Sequence, residues 1–218
     1  MRINRYVAAA TGLSRRAADE VISQSRIHVN EHPAQLGMSV GPADSVRLDG
    51  TLLRVPQSQT IMLHKPVGYI TSRRQQGQTP TIYRLLPPEL RRLKPIGRLD
   101  RDSSGLLLLT DDGELAQQLQ HPSKGKWKRY EVRLDRPLGP EDQRQLEQGV
   151  TLPDGPSLLK IQSQGSTHIV SLQEGRNRQI RRSFDALGYK VTSLHRTDFG
   201  SYRLGTLGEG EWKHESTA

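Results

Sequence analysis

"GRLDRDSSGLLLLT", residues 97–110, decides how the rest of the chain is read. Arg98 and Arg101 bracket Asp100, a short polar turn follows, and the chain then passes through four leucines without a polar break. An apolar run of that length, bounded by turn residues, points to a strand buried on both faces. Such a strand is a rigid mount for a side chain standing at its entry. With cationic neighbours that favour the ionised form of a carboxylate, Asp100 suits a nucleophile or a base there, not a general acid. The same residues also fit a salt-bridged turn that only caps a core strand. Asp102, Asp111 and Asp112 lie close by, although "TDDGELAQQ" is accounted for by a turn and an acidic helix start.

Around this strand the periodicity alternates between helix and strand. "INRYVAAAT" sets Ile3, Tyr6, Val7 and Ala10 on one helical face, and "SRRAADEVISQ" opens a second helix with Ser14 as its N-cap. "RIHVN" and "SVRLDG" read as short strands, the latter ending in a turn at Asp49 and Gly50. "RVPQSQT", residues 54–60, has the composition of a linker, so a first domain over 1–53 and a second over 60–213 are expected. In the second, "TIMLHK", "KRYEVRL", "SLLKIQSQ", "THIVSLQ" and "YKVTSL" read as strands. "GELAQQLQ", "PEDQRQLEQGV" and "RNRQIRRSFDAL" read as helices. The order is that of an α+β fold. The tail "GTLGEGEWKHESTA" is glycine-rich and polar, and its last residues are expected to be loosely held.

A formal net charge of +9 over 218 residues makes a polyanion the leading partner, and nucleic acid gains most from such a charge through counterion release. The absence of cysteine excludes disulfides, thiolate metal sites and cysteine nucleophiles. The apolar part of "MRINRYVAAATGLSRR" is too short and broken for a signal peptide or a membrane span, so a cytoplasmic protein without a membrane partner is expected.

Two further clusters carry charge. In "EGRNRQIRR", helical spacing puts Ile180, Phe184 and Leu187 on one face and turns Arg178, Arg181 and Arg182 to the other. Guanidinium forks suit either a carboxylate such as Asp100 or a nucleic-acid backbone, and a solvated basic face is the plain alternative. In "KGKWKRYEV", lysines and Arg129 alternate with Trp127 and Tyr130, and on a strand Tyr130 turns the same way as Lys128 and Val132 while Arg129 faces away. "HVNEH", residues 28–32, fits a zinc-peptidase pattern, but it alternates like a strand, turns at Asn30 and meets Pro33 at once, so its histidines have no helix to share. No phosphate loop, dinucleotide fingerprint or serine elbow is present, so no cofactor, nucleotide or metal is expected.

Taken together, these motifs resemble the RsuA/RluB/RluE/RluF family of ribosomal RNA pseudouridine synthases over nearly the whole chain. Residues 1–53 are similar to the RNA-binding domain shared with ribosomal protein S4, in which the helix start at Ser14, Arg15 and Arg16 meets RNA. "LHKPVGYITS" resembles the lysine-proline strand that opens the family's catalytic domain, and "GRLDRDSSGLLLLT" resembles its catalytic signature, with the aspartate at Asp100. The active-site tyrosine then falls on Tyr130, the arginine that pairs with the aspartate on Arg181, and the segment that closes the pocket on "VTSLHR", with Leu194 and Arg196. Ser183 stands where the family commonly has methionine.

The resemblance implies a small S4-like domain followed by a mixed, mainly antiparallel sheet with flanking helices. It implies a monomer that isomerises one uridine of ribosomal RNA, free or in a pre-ribosomal particle, through Asp100 and without a cofactor. Arg15, Arg16, Arg98, Arg101, Lys128, Arg129, Arg178 and Arg182 would hold the RNA. "GVTLPDGP", residues 149–156, leans toward large-subunit members. Two other readings of the same residues remain: a non-catalytic RNA-binding or ribosome-assembly factor, and a glycosylase that releases the base.

Overall fold

The computed structural model describes residues 1–120 and 126–215. The chain divides into two compact units, Met1–Gln57 and Ser58–Ala218.

The first unit opens with helices α1 (Ile3–Thr11) and α2 (Arg15–Ser23). Each buries one pair at i, i+4 spacing, Ile3 with Val7 and Ala18 with Ile22, as amphipathic helices do. Gly12 ends α1 at φ +80°, donating its N–H to the Ala8 carbonyl, and the Ser14 hydroxyl begins α2 by accepting the Ala17 N–H at 3.1 Å. Four short antiparallel strands follow: β1 (Ile27–Val29), β2 (His32–Pro33), β3 (Val46–Leu48) and β4 (Thr51–Leu52), in the order β2-β1-β3-β4. Asn30 and Glu31 both take positive φ between β1 and β2, as do Asp49 and Gly50 between β3 and β4, the backbone of two-residue hairpin turns. His28 and His32 therefore stand on successive strands of a hairpin. Ser14→Ala is expected to cost the first unit about 1 kcal/mol, the usual worth of such a cap. A urea midpoint that does not move would show that this cap contributes nothing.

The second unit contains β5 (Thr60–Lys65), β6 (Lys94–Ile96), β7 (Ser104–Thr110), α3 (Gly113–Gln120), β8 (Lys128–Leu134) and α4 (Pro140–Gln148). The hairpin β9 (Val150–Leu152) and β10 (Gly155–Ser157) comes next, then β11 (Lys160–Gln164), β12 (Thr167–Leu172), α5 (Gln179–Asp185), β13 (Val191–Phe199), β14 (Tyr202–Arg203) and β15 (Trp212–His214). Nine strands make one mixed sheet in the order β11-β12-β8-β13-β7-β5-β15, with β6 beside β7 and β14 beside β13. Among the described residues, β7 with β13 is the one parallel pairing between its strands, and it joins two antiparallel halves.

The four leucines of β7 are fully buried and alternate between two cores. Leu107 and Leu109 pack with Leu63, Val132, Ile180 and Phe184 on one side, and Leu106 and Leu108 with Met62, Leu119, Phe199 and Leu204 on the other. A strand covered on both faces has no solvent side, which is why its sequence shows no polar alternation.

Local reading and structure differ in a few places. α5 begins at Gln179 and not near Arg176, because Arg178 sits at φ +47°, outside the helical region. Gly149, at φ +116°, stops α4 before Val150. "SLLKIQSQ" is not one strand: Ser157 closes β10, and the Leu159 N–H turns to the Leu146 carbonyl before β11 starts. β13 runs on through the polar "HRTD", where neighbours on both sides pair it. Within the glycine-rich tail, Trp212–His214 is an edge strand on β5, and residues 216–218 lie outside the described residues.

Candidate active site

Asp100 stands in the turn that feeds β7, and that turn is braced through its carbonyl groups. Leu99 O accepts from the Thr71 hydroxyl at 2.8 Å, and Asp100 O from the Ser103 N–H at 3.1 Å. Arg101 O accepts from the Gly68 N–H at 2.8 Å, Asp102 O from Arg181 Nη2 at 2.7 Å, and Ser103 O from Lys65 Nζ at 2.6 Å. Every backbone acceptor from 99 to 103 is thus occupied, one from within the turn and four by donors from segments far apart in sequence. Such bracing holds a carboxylate in place at no reorganisation cost during a reaction.

The carboxylate faces a cleft of about 1000 Å³ that also takes in Arg98, Lys128, Tyr130, Arg178, Leu194 and Arg196. Tyr130 and Leu194 are buried to 8% and 7% exposure. Tyr130 lies across from Arg196 in the β8–β13 register, and Leu194 across from Val132, so the tyrosine and the leucine reach the cleft from adjacent central strands.

The arginines divide differently from the expectation. Arg178, not Arg181, is the guanidinium at ion-pair distance from Asp100, with Nη1 3.7 Å from Oδ2. Arg181 is paired with Asp102: Nε lies 3.3 Å from Oδ2, while Nη1 and Nη2 donate to the Val191 and Asp102 carbonyls. Arg178 also grips both oxygens of Asp102, each at 2.9 Å, and this hydrogen bonding holds the Asp102 carboxyl below the usual range. Asp102 is therefore a bracket between α5 and the turn, and Arg181 acts on Asp100 through that bracket. The αL backbone of Arg178 makes this possible, because it swings the side chain back over the turn before the helix begins.

Arg182 faces away from the cleft altogether and forms a two-pronged pair with Asp154 at 3.0 and 2.8 Å. Asp154, in the β9–β10 turn, also accepts from Arg176, so the guanidinium of Arg182 is committed to joining that hairpin to α5. Arg98 lines the cleft, but neither it nor Arg101 pairs with Asp100 among the described residues; both are exposed, and Arg101 lies outside the cleft. Lys128 enters the cleft and donates to the Glu174 carbonyl, whereas Arg129 lies on the other face of β8, as strand alternation requires. Arg15 and Arg16 belong to the first unit, exposed in the first turn of α2. Asp111 binds the Gln59 N–H and pairs with Arg92, and Asp112 accepts the Glu114 and Leu115 N–H groups at the start of α3, so both have structural partners. Lys124 lies outside the described residues.

Two buried cations, Lys65 of the lysine-proline strand and Arg196 of the pocket-closing segment, were assigned no catalytic or RNA-binding role from the sequence. Lys65 has no exposed surface and donates to the Ser103 and Pro66 carbonyls. Arg196, 2% exposed, donates from Nε to the Leu106 carbonyl, stands 5.2 Å from the Phe199 ring centroid and leaves Nη2 without a partner among the described residues. Each sits in or at the end of an apolar strand pattern, "TIMLHK" and "YKVTSL" with the residues after it, where a cation is costly unless its neighbours receive it.

Burial lowers the Lys65 ammonium from 10.5 to about 8, against the pull of Asp100 and Asp102. The unfolded chain keeps this proton until the ordinary lysine range and the folded chain releases it near 8. The unfolded state therefore binds more protons between those values, and the Lys65 contribution to stability rises with pH across that window. Lysine side-chain NMR should show one ammonium titrating near pH 8, and the urea midpoint of the wild type should gain on that of Lys65→Met from about pH 8 upward. A Lys65 resonance that titrates with the exposed lysines would overturn this.

An open basic cleft with a braced carboxylate at its floor defines a protein built to receive a polyanion and do chemistry on it. The chain belongs to the RNA pseudouridylate synthase family, whose model matches residues 59–186, and it is thereby an isomerase acting on RNA. It is similar to a ribosomal small subunit pseudouridine synthase A of Pasteurella multocida, 37% identical over 98% of this chain and 95% of that one. A ribosomal large subunit pseudouridine synthase B of Bacillus subtilis is 34% identical over 96% and 90%. Among solved structures, a pseudouridylate synthase superposes with a TM-score of 0.70 at 31% identity, covering 99% of this chain and 96% of that one. Among the described residues no cluster of histidines and carboxylates could hold a metal ion, and no helix is long and apolar enough to cross a membrane.

Proposed function

We propose that the protein converts one uridine of ribosomal RNA to pseudouridine with Asp100 as the reacting carboxylate. The observation that carries the reading is the convergence of Asp100, Tyr130 and Leu194 on one basic cleft, with the turn around Asp100 braced at every carbonyl. Chemistry on a base demands its extrusion from the stack, and the buried Tyr130–Leu194 wall of the cleft is an apolar surface on which a flipped uracil can lie. The N1–C1′ bond breaks, the uracil turns in the pocket, C5 bonds to C1′ and loses its proton, and N1 ends protonated. Attack on C1′, attack on C6 and removal of a sugar proton all call on the same carboxylate. Tyr130 packs on the uracil and assists loss of the C5 proton. Arg178 pairs with Asp100 directly, and Arg181 positions it through Asp102.

Residues 1–53 serve as an S4-like RNA-binding domain, with Arg15 and Arg16 presented to RNA at the start of α2. Arg98, Lys128 and Arg178 bind the backbone around the target in the cleft. Arg101 and Arg129 extend the basic surface beyond it. The enzyme works as a cytoplasmic monomer, and the "GVTLPDGP" hairpin favours large-subunit RNA. The test is incubation of separate unmodified small- and large-subunit transcripts with the protein, followed by chemical mapping of pseudouridine. Modification of one large-subunit position is expected; unaltered RNA in both would refute an enzyme, and an abasic site would establish a glycosylase.

A further inference from the structure

The segment "KWKRY" is split by the pleat of β8. Lys128 and Tyr130 enter the cleft, whereas Trp127 and Arg129 line a separate groove of about 620 Å³. Strand register continues that second face: Arg129 stands across from Ser171 of β12, and Ser171 across from Lys160 of β11. The three side chains form one row over three strands, opposite in facing to the neighbouring row of Tyr130, Val170 and Ile161, which is buried in the core. At the end of the row Trp127 is 40% exposed, with Lys160 Nζ 4.5 Å from its ring centroid. Neither Arg129 nor Lys160 has a carboxylate at ion-pair distance among the described residues. Two acids also line the groove: Asp198, across from Arg129, is held by Arg203 and the Thr197 hydroxyl, and Glu147 accepts from Gln143 Nε2 at 3.2 Å.

We propose that this groove is a second RNA contact, in which an unpaired nucleobase stacks on Trp127 while Arg129 and Lys160 hold the adjoining phosphates. The proposal rests on the reading of the chain as an RNA-modifying enzyme, but the contact lies outside the cleft where the chemistry takes place. An exposed indole flanked by two cations without acid partners offers both halves of single-strand recognition, a flat face for any base and charge for the backbone. Lys160 stands over the indole, and the exposed part of the ring is what the base would stack on. The strand spacing of about 4.8 Å sets Arg129 and Lys160 roughly two strands apart, a span suited to successive phosphates.

The test titrates the protein with a single-stranded oligouridylate of about eight nucleotides, within the usual footprint of such sites, and follows tryptophan emission. The chain has two tryptophans, so Trp212→Phe separates their signals. Saturable quenching is expected in the wild type and in Trp212→Phe. Trp127→Leu should lose it and bind roughly tenfold more weakly, and Trp127→Phe should recover most of the affinity. Arg129→Ala with Lys160→Ala should reduce the salt slope by about 1.4, two single-strand phosphate contacts. Circular dichroism verifies that each variant is folded. Equal affinity of Trp127→Leu and wild type would overturn the inference, as would Trp127-dependent self-association in sedimentation, which would make the surface an interface between copies. Pseudouridine mapping on the same preparations keeps the two readings apart. Modification with Trp127-independent binding sinks only this contact, and Trp127-dependent binding without modification sinks only the enzyme reading.

Discussion

Asp100→Asn is expected to abolish pseudouridine formation, on the order of a thousandfold or more, while RNA binding stays within about twofold of wild type. The amide keeps the size and shape of the side chain, and the contact it gives up is an ion pair with Arg178 at 3.7 Å, not a hydrogen bond, so the turn has no cause to rearrange. Its five carbonyl contacts involve only backbone acceptors and survive the change. What is lost is the negative charge, which every route from uridine to pseudouridine through this residue requires. Affinity is carried instead by cationic contacts to the RNA backbone. Single-turnover modification of the mapped transcript, run beside filter binding, measures both. Residual product at a tenth of the wild-type rate, or a parallel loss of affinity, would remove Asp100 from the role assigned to it.

Gly105→Ala should be the most damaging single substitution for the second unit. Gly105 lies at φ +106°, in the parallel register with Arg196, and a Cβ there would stand 2.2 Å from the Arg196 carbonyl oxygen and 2.5 Å from its nitrogen. Those are backbone atoms with no rotamer to escape into. β7 and β13 would have to separate where their pairing joins the two antiparallel halves of the sheet, and Arg196 would lose its seat beside the Leu106 carbonyl. A loss of roughly 4 kcal/mol or more is expected for such a clash, which lowers the melting temperature by about 10 °C or more in a protein of this length. Gly97→Ala is the control. That glycine also has positive φ, +72°, but nothing stands within 4 Å of a Cβ, so only backbone strain of roughly 1 kcal/mol applies. Equal melting temperatures for the two variants would show that the close approach of β13 is not what requires Gly105.

Much of the site's scaffold could be read locally. Period-3.6 spacing marked the helical face that carries Ile3 and Val7, and the unbroken leucines after Gly105 announced a strand covered on both faces. The alternation in "KRYEVRL" placed Tyr130 inward and Arg129 outward because a pleat has a period of two residues. Charge pairing was another matter. "EGRNRQIRR" showed three arginines on one side of a helix, yet the partner of Arg181 is Asp102, that of Arg182 is Asp154, and Asp100 is approached by Arg178. The later start of α5, at Gln179 and not Arg176, set by the αL backbone of Arg178, rotates which guanidinium meets which carboxylate.

The sequence by itself determined the principal helices and strands, the basic character and the buried strand behind Asp100, because these follow from periodicity and composition within a few residues of chain. Only the tertiary structure decided which cation holds which acid, that Lys65 and Arg196 are buried beneath the cleft, and that Trp127 faces away from it. Those outcomes depend on contacts between segments as far apart as Arg196 and Leu106 or Arg181 and Asp102. A charged side chain has partners of similar worth in many places, and packing selects among them only when the sheet closes.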